Sequence, residues 1–197
     1  LKSWGAATIS LRQEYIQDVV DWISVNGENV VGNIDNADRL SAQIKATFEL
    51  DPIGFKGGRL IVDSKYNKSH VRDPLSNLPR RLGGETINDL QMELRHDIPQ
   101  TDITWGFTYE KTNFEPEYTH AKITSKNLKD NLLVAYIEHG NFSGIKARLS
   151  LRNISDRVDH EYSRYYNNDR LDDNHVRSEY QKRDFGLMYL LTLSGSF

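Results

Sequence analysis

Side chains able to do chemistry are present in this chain, but they are scattered. Six histidines, His70, His96, His120, His139, His160 and His175, fall at spacings that build neither a helical pair nor an H-E-x-x-H run. His160 and Glu161 adjoin, yet neighbours on a strand point to opposite faces. The acidic run NNDRLDDN (167–174) offers Asp and Asn oxygens of the kind calcium takes. It lacks the glycine and the closing glutamate of an EF-hand loop, so a solvated hairpin tip is the plainer reading. There is no G-x-S-x-G elbow and no phosphate-cradling glycine loop. Cysteine is absent, which removes disulfides and thiolate metal sites. One basic group remains: Arg72, Arg80 and Arg81 could attract an anionic ligand, against the blander reading of a solvated basic loop. For His70, His120 and His175 no partner stands out in the sequence. The expectation is a chain that is not an enzyme and holds no cofactor and no metal.

The elements that carry these residues read as strands. Hydrophobic residues make up 38% of the 197-residue chain and charged residues 27%. The apolar share is below the ~45–50% usual for a soluble domain, yet ten Tyr, seven Phe and three Trp argue against disorder. The net charge of -3 comes with no basic stripe, which argues against nucleic acid as partner. No apolar run reaches the ~18 residues of a membrane helix. Leu1 opens the sequence without a signal-peptide pattern, so it reads as a mature chain or a fragment.

Alternation with period two recurs in about eight stretches: 6–16, 39–50, 59–68, 90–95, 103–110, 132–137, 145–152 and 185–197. Leu40, Ala42, Ile44, Ala46, Phe48 and Leu50 take one side of the second, with charged and polar residues on the other. Stretch 132–137 is apolar on both faces, with Leu132, Val134 and Tyr136 favoured as one side. The links after strands two, four and six are short: 51–58, 97–101 and 138–144. Those after one, three, five and seven are longer and polar, covering 23–38, 71–84, the region around 113–122 and that around 165–175. Strict alternation of short and long links is the pattern of an up-and-down transmembrane barrel, with short periplasmic turns and long external loops. About 13 residues at ~3.3 Å each, tilted ~45°, span roughly 30 Å, the thickness of a bilayer core. Trp4, Tyr15, Trp22, Phe114, Tyr118, Tyr162, Tyr165 and Phe197 fall toward strand ends, where interfacial aromatics gather. A soluble β-sandwich uses the same alternation; the link lengths and the charged second face favour the barrel.

The ending resembles the C-terminal assembly signal of bacterial outer-membrane proteins. Phe185, Leu187, Tyr189, Leu191, Leu193 and the final Phe197 carry it, and it implies the barrel-assembly machinery as a partner. The run VGNIDNADRLSAQIKATFELDPIGFKGGRLIV (31–62) and the stretch LSLRNISDR (149–157) resemble the barrel of TonB-dependent outer-membrane receptors. The similarity covers most of residues 1–197, as the C-terminal part of such a receptor, with no plug domain. It implies antiparallel transmembrane strands within a 22-stranded barrel, in the bacterial outer membrane, contacting lipid and lipopolysaccharide. It also implies active uptake of a scarce nutrient complex such as a ferric siderophore, energised by TonB through a plug outside this sequence. On that reading Arg12, Glu14, Lys45, Glu49, Glu93, Arg95, Arg148 and Arg152 face the lumen, where pairing with the plug is a plainer role than ligand contact. The competing readings are a complete eight-stranded outer-membrane barrel, structural, adhesive or enzymatic, and a soluble β-domain for binding.

Overall fold

The computed structural model describes residues 4–128, 131–142, 144–171 and 174–195, with residues 128 and 142 as backbone only. Eight long strands form one antiparallel sheet, each hydrogen-bonded to the next in the chain. They are β1 (Gly5–Ile16), β4 (Ala37–Glu49), β5 (Gly58–Arg72), β7 (Thr86–Asp97), β8 (Ile103–Phe114), β11 (Leu132–Phe142), β12 (Ile145–Arg152) and β15 (Met188–Gly195). The sheet is open: among the described residues β1 and β15 do not pair with each other.

Short links join these strands at one end of the sheet. Residues 50–57 make the first, built on a single 3-10 turn at Asp51–Ile53; 98–102 and 143–144 make the others. Long links cover 17–36, 73–85, 115–131 and 153–187 at the other end. They are not bare loops. The first holds a hairpin of β2 (Val20–Val25) and β3 (Glu28–Asn33), closed by Asn26 and Gly27, both at positive φ. That is the residue pair a two-residue hairpin turn favours. The second holds β6 (Pro79–Arg80) on the edge of β5. The third and fourth supply a four-stranded sheet, in order β14 (His175–Asp184), β13 (Val158–Tyr166), β10 (Lys122–Leu128), β9 (Glu117–Tyr118).

Strand ends differ from those expected in a consistent way. β5, β7 and β8 run beyond their alternating stretches toward the long links. Alternation fades there because the apolar side turns polar, as at Lys68, His70 and Arg72, while the backbone ladder continues. β15 is shorter than its sequence pattern: Phe185 and Leu187 precede it, and Phe197 lies outside the described residues. Only Tyr189, Leu191 and Leu193 of the C-terminal pattern share its ladder with β12.

Buried apolar side chains are few. A small cluster of Val19, Ala37 and Val71, flanked by Ile16, Ile34 and Leu82, sits where β4 and β5 meet the first long link. Among the described residues no comparable apolar layer packs on the main sheet.

Candidate functional site

Residues opposite each other in a sheet share a face, so the register assigns sides. One row crosses all eight strands: Gly5, Phe48, Leu60, Leu94, Phe107, Ala135, Leu151 and Tyr189. None is charged. On the same face Leu11 is 75% exposed and Tyr189 71%. Ile44, Phe107, Ile137, Leu149, Leu191 and Leu193 are exposed as well. Toward the short turns, Phe55, His96, Trp105 and Phe107 stack on one another, with centroids 4.4–6.5 Å apart. Soluble monomers rarely expose wide contiguous apolar surface.

The other face is polar and crowded. Arg12, Glu14, Lys45, Glu49, Glu93, Arg95, Arg148 and Arg152 all share it. Glu138 is 4% exposed on this face and receives Lys146 at 2.9 Å, Arg95 at 3.6 Å and Arg148 at 3.9 Å. Arg95 continues to Asp97, which also takes Arg59 and the Thr104 hydroxyl. Tyr136 donates to Glu93 at 2.5 Å, and the Arg148 guanidinium lies 3.5 Å from its ring centroid. Farther along, Glu14 holds Arg39 at 2.8 Å, and Asp63 holds Gln43 and Lys45. Thr8, Lys45, Asp63, Gln91 and Glu93 line a hollow of about 400 Å³. Leu132, Val134 and Tyr136 do form one side of β11, but it is this polar side. Leu133, Ala135 and Ile137 take the apolar face. A strand apolar on both sides gives alternation nothing to decide by.

The long links are tied together by charge. Asp73 is buried and accepts bonds from its own turn, Leu75 and Ser76 N–H, and from Arg80 Nε at 2.6 Å. Arg170, from the fourth long link, also bonds it. Arg80 reaches on to Asp21 of β2 at 2.8 Å, and both guanidinium groups sit near the Tyr118 ring. The second and fourth long links thus meet at this carboxylate, and the two arginines bring in Asp21 of the first and Tyr118 of the third. Burial pushes the Asp73 carboxyl up, but bonds from Arg170, the Ser76 N–H and Arg80 pull it further, well below the usual carboxylate range. Burial works against the Arg80 charge, and Asp21 and Asp73 more than offset it, raising its pKa.

The three arginines singled out from sequence have different surroundings. Arg80 is nearly buried in this knot. Arg81 donates to the Asn67 carbonyl and the Tyr66 hydroxyl and lies 3.9 Å from Glu115. Arg72 is exposed, with Asp35 at 4.0 Å. Of the histidines near the long links, His120 N–H bonds Asn29 and His175 bonds Ser178; the two do not share a site with His70. Asp172 and Asp173 of the acidic run lie outside the described residues. Among the described residues no three His, Asp or Glu side chains group as metal ligands.

Sequence reading missed Asp73, Asp21 and Arg170 as a unit. The signal for Asp73 is the D-P-L-S turn, in which the Asp caps backbone N–H groups; its distant partners leave no local trace. Asn153 is a second case. Its side chain accepts from Arg157 N at 2.7 Å and donates to the Gly186 carbonyl at 2.9 Å, fixing the corner between β12 and β13. The chain matches no family model, no curated protein and no solved structure.

Proposed function

We propose that this chain is part of the wall of a bacterial outer-membrane barrel, the C-terminal strands of a TonB-dependent receptor for a scarce nutrient complex such as a ferric siderophore. The observation that carries the reading is the inversion of the sheet: a charge-free row crosses eight strands with none of its residues buried and Phe48, Phe107 and Tyr189 exposed, and a crowded ionic face backs it. In water the free energy runs the other way, with apolar faces packed together as in a sandwich. In a bilayer the outward face meets lipid, and strands must satisfy every backbone group by pairing. The outward rows meet acyl chains, and the inward arginines and glutamates line the interior and pair with a plug. The long links form the external ligand-capturing surface, with the short turns on the periplasmic side.

Among the described residues the outer edges of β1 and β15 are unpaired, which favours membership of a larger barrel over an eight-stranded one, whose first and last strands pair. The test is the native protein in outer-membrane extracts, detected with an antibody to β14. A detergent-dependent species several times the mass of this chain, with ligand uptake lost when the proton gradient is collapsed, is the expected result. A species of this chain's own mass favours the small barrel, and a protein soluble without detergent removes both.

A further inference from the structure

The outward positions of the eight long strands carry Lys, Arg, Asp or Glu at one end of the sheet only. They are Asp38 on β4, Lys68 and Arg72 on β5, and Lys111 on β8. All four lie next to the long links. Three are basic and one is acidic. The short-turn end has no counterpart: its outward positions hold His96, Trp105, His139 and Ile145 instead.

The basic residues stand in line. Leu60, Val62 and Tyr66 occupy the outward side of β5 below them, and Lys68, His70 and Arg72 continue the same side at every second position. Alternate residues are ~6.6 Å apart along a strand, so the three span roughly 13 Å. All three are exposed. Among the described residues Lys68 has no carboxylate within ion-pair distance, and the nearest to Arg72 is Asp35, at 4.0 Å. Asp38 lies opposite His70 in the ladder. Arg81 adds a guanidinium from the adjoining link, with Glu115 3.9 Å from its Nε: its Nη1 donates to the Asn67 carbonyl, its Nη2 donates to the Tyr66 hydroxyl at 3.2 Å, and the group sits 5.9 Å from the Tyr66 ring centroid.

We infer that Lys68, His70, Arg72 and Arg81 form a binding site for the phosphate of an anionic lipid in the leaflet facing the long links. The inference rests on the proposed membrane placement. The chemistry follows from position. Apolar rows fix where acyl chains end. Tyr66 stands at that boundary with its hydroxyl turned to Arg81. Cations immediately beyond meet phosphates at the depth where lipids carry them. A phosphate there accepts charge-assisted bonds from Arg72 and Arg81 while Lys68 supplies a mobile charge. Basic side chains next to an anionic leaflet each strengthen attachment, and the gain is screened by salt.

The experiment uses the full-length protein in maltoside micelles. Retained lipid is counted by native mass spectrometry during titration with phosphatidic acid or phosphatidylcholine of equal chain length. Phosphatidic acid is expected to bind about 30-fold more tightly, the worth of two interfacial cations. Lys68→Gln with Arg72→Gln erases most of that difference, whereas Lys56→Gln, exposed at the short-turn end, leaves it. Inorganic phosphate at the same concentration does not compete, because the acyl chains must sit on the outward rows. If the double variant does not fold, Lys68→Gln alone and about 0.5 M salt each weaken wild-type-like retention of phosphatidic acid. Equal retention of the two lipids by a detergent-dependent protein overturns the site and leaves the membrane placement standing. Effective competition by inorganic phosphate overturns the lipid assignment. A protein that stays soluble without detergent overturns placement and site together.

Discussion

Tyr136 spans the polar face in a way that depends on the absence of a neighbour's side chain. Its strand partner on β8 is Gly106, and a Cβ there would lie 2.6 Å from the Tyr136 ring and hydroxyl and 2.7 Å from the Leu94 carbonyl. The glycine lets the phenol lie flat across β8 and reach Glu93 on β7, with Arg148 closing over its other side. Gly106→Ala must therefore displace Tyr136, breaking its bond to Glu93 and its contact with Arg148. The expected loss is about 2 kcal/mol, the size of a buried charge-assisted bond, read by chemical unfolding in detergent. Tyr136→Phe keeps the ring and should cost less. Asp73 carries a larger share of the stability of the long links. Removing it leaves Arg80 and Arg170 facing each other, so Asp73→Asn should cost about 3 kcal/mol or more locally, seen as faster hydrogen exchange in residues 73–80 and 118–120. The sign with pH follows from its lowered pKa. The stabilisation is complete above the unfolded carboxylate value of ~3.9 and is lost only as pH falls below it toward the folded value. Exchange in these links should therefore be unaffected by Asp73 between pH 7 and about 5 and rise in stronger acid, and the Asn variant should lose that acid dependence.

Among the elements, the eight long strands and the alternation of short with long links were legible in sequence, because one-sided burial imposes period two and turn-forming residues cluster between runs. The face carrying Arg12, Glu14, Lys45, Glu93 and Arg148 was legible for the same reason: parity along each strand predicts it, and the ladders join these residues. The hairpins in the long links were not. β14 reads HVRSEYQKRD and is exposed along nearly its whole length, so no apolar face marks it as a strand. The β2–β3 hairpin did leave a trace in Asn26–Gly27, between two short runs that hold Val20, Trp22, Ile23, Val25, Val30 and Val31. The ionic knot lay beyond reach because Asp21, Asp73 and Arg170 are far apart in the chain and paired only by tertiary structure. The parity of the long strands has its own test. Phe107 is 53% exposed on the apolar face, while Gln91 is exposed on the polar face. In water, charging either would be nearly neutral. In a bilayer Phe107→Arg should cost about 2–4 kcal/mol and Gln91→Arg about none, measured by unfolding from lipid vesicles. Equal, small effects would remove the lipid from the outward face.

At the scale of the molecule the two outer edges decide what this sheet belongs to. A strand edge in hydrocarbon leaves its N–H and C=O groups unsatisfied at several kcal/mol each, so β1 and β15 must pair in a membrane, with each other or with other strands. The chain's lack of cysteine makes the alternatives separable. Leu11 on β1 and Leu191 on β15 both point outward and are well exposed. Single cysteines at these two positions, in cells, report on edge neighbours through a short thiol cross-linker. If the strands close on themselves, Leu11→Cys and Leu191→Cys in one chain come within reach of each other and a looped, faster-migrating species forms. In a 22-stranded wall the two edges are separated by the remaining strands, and the doubly substituted protein stays unlinked however long the reagent acts. The same chain should then expose Leu191→Cys neither to its own Leu11→Cys nor to a bulky aqueous thiol reagent, because lipid covers both. An unlinked pair that reacts freely with the aqueous reagent would place these edges in water and defeat the membrane reading, whereas an unlinked and protected pair is what the larger wall requires.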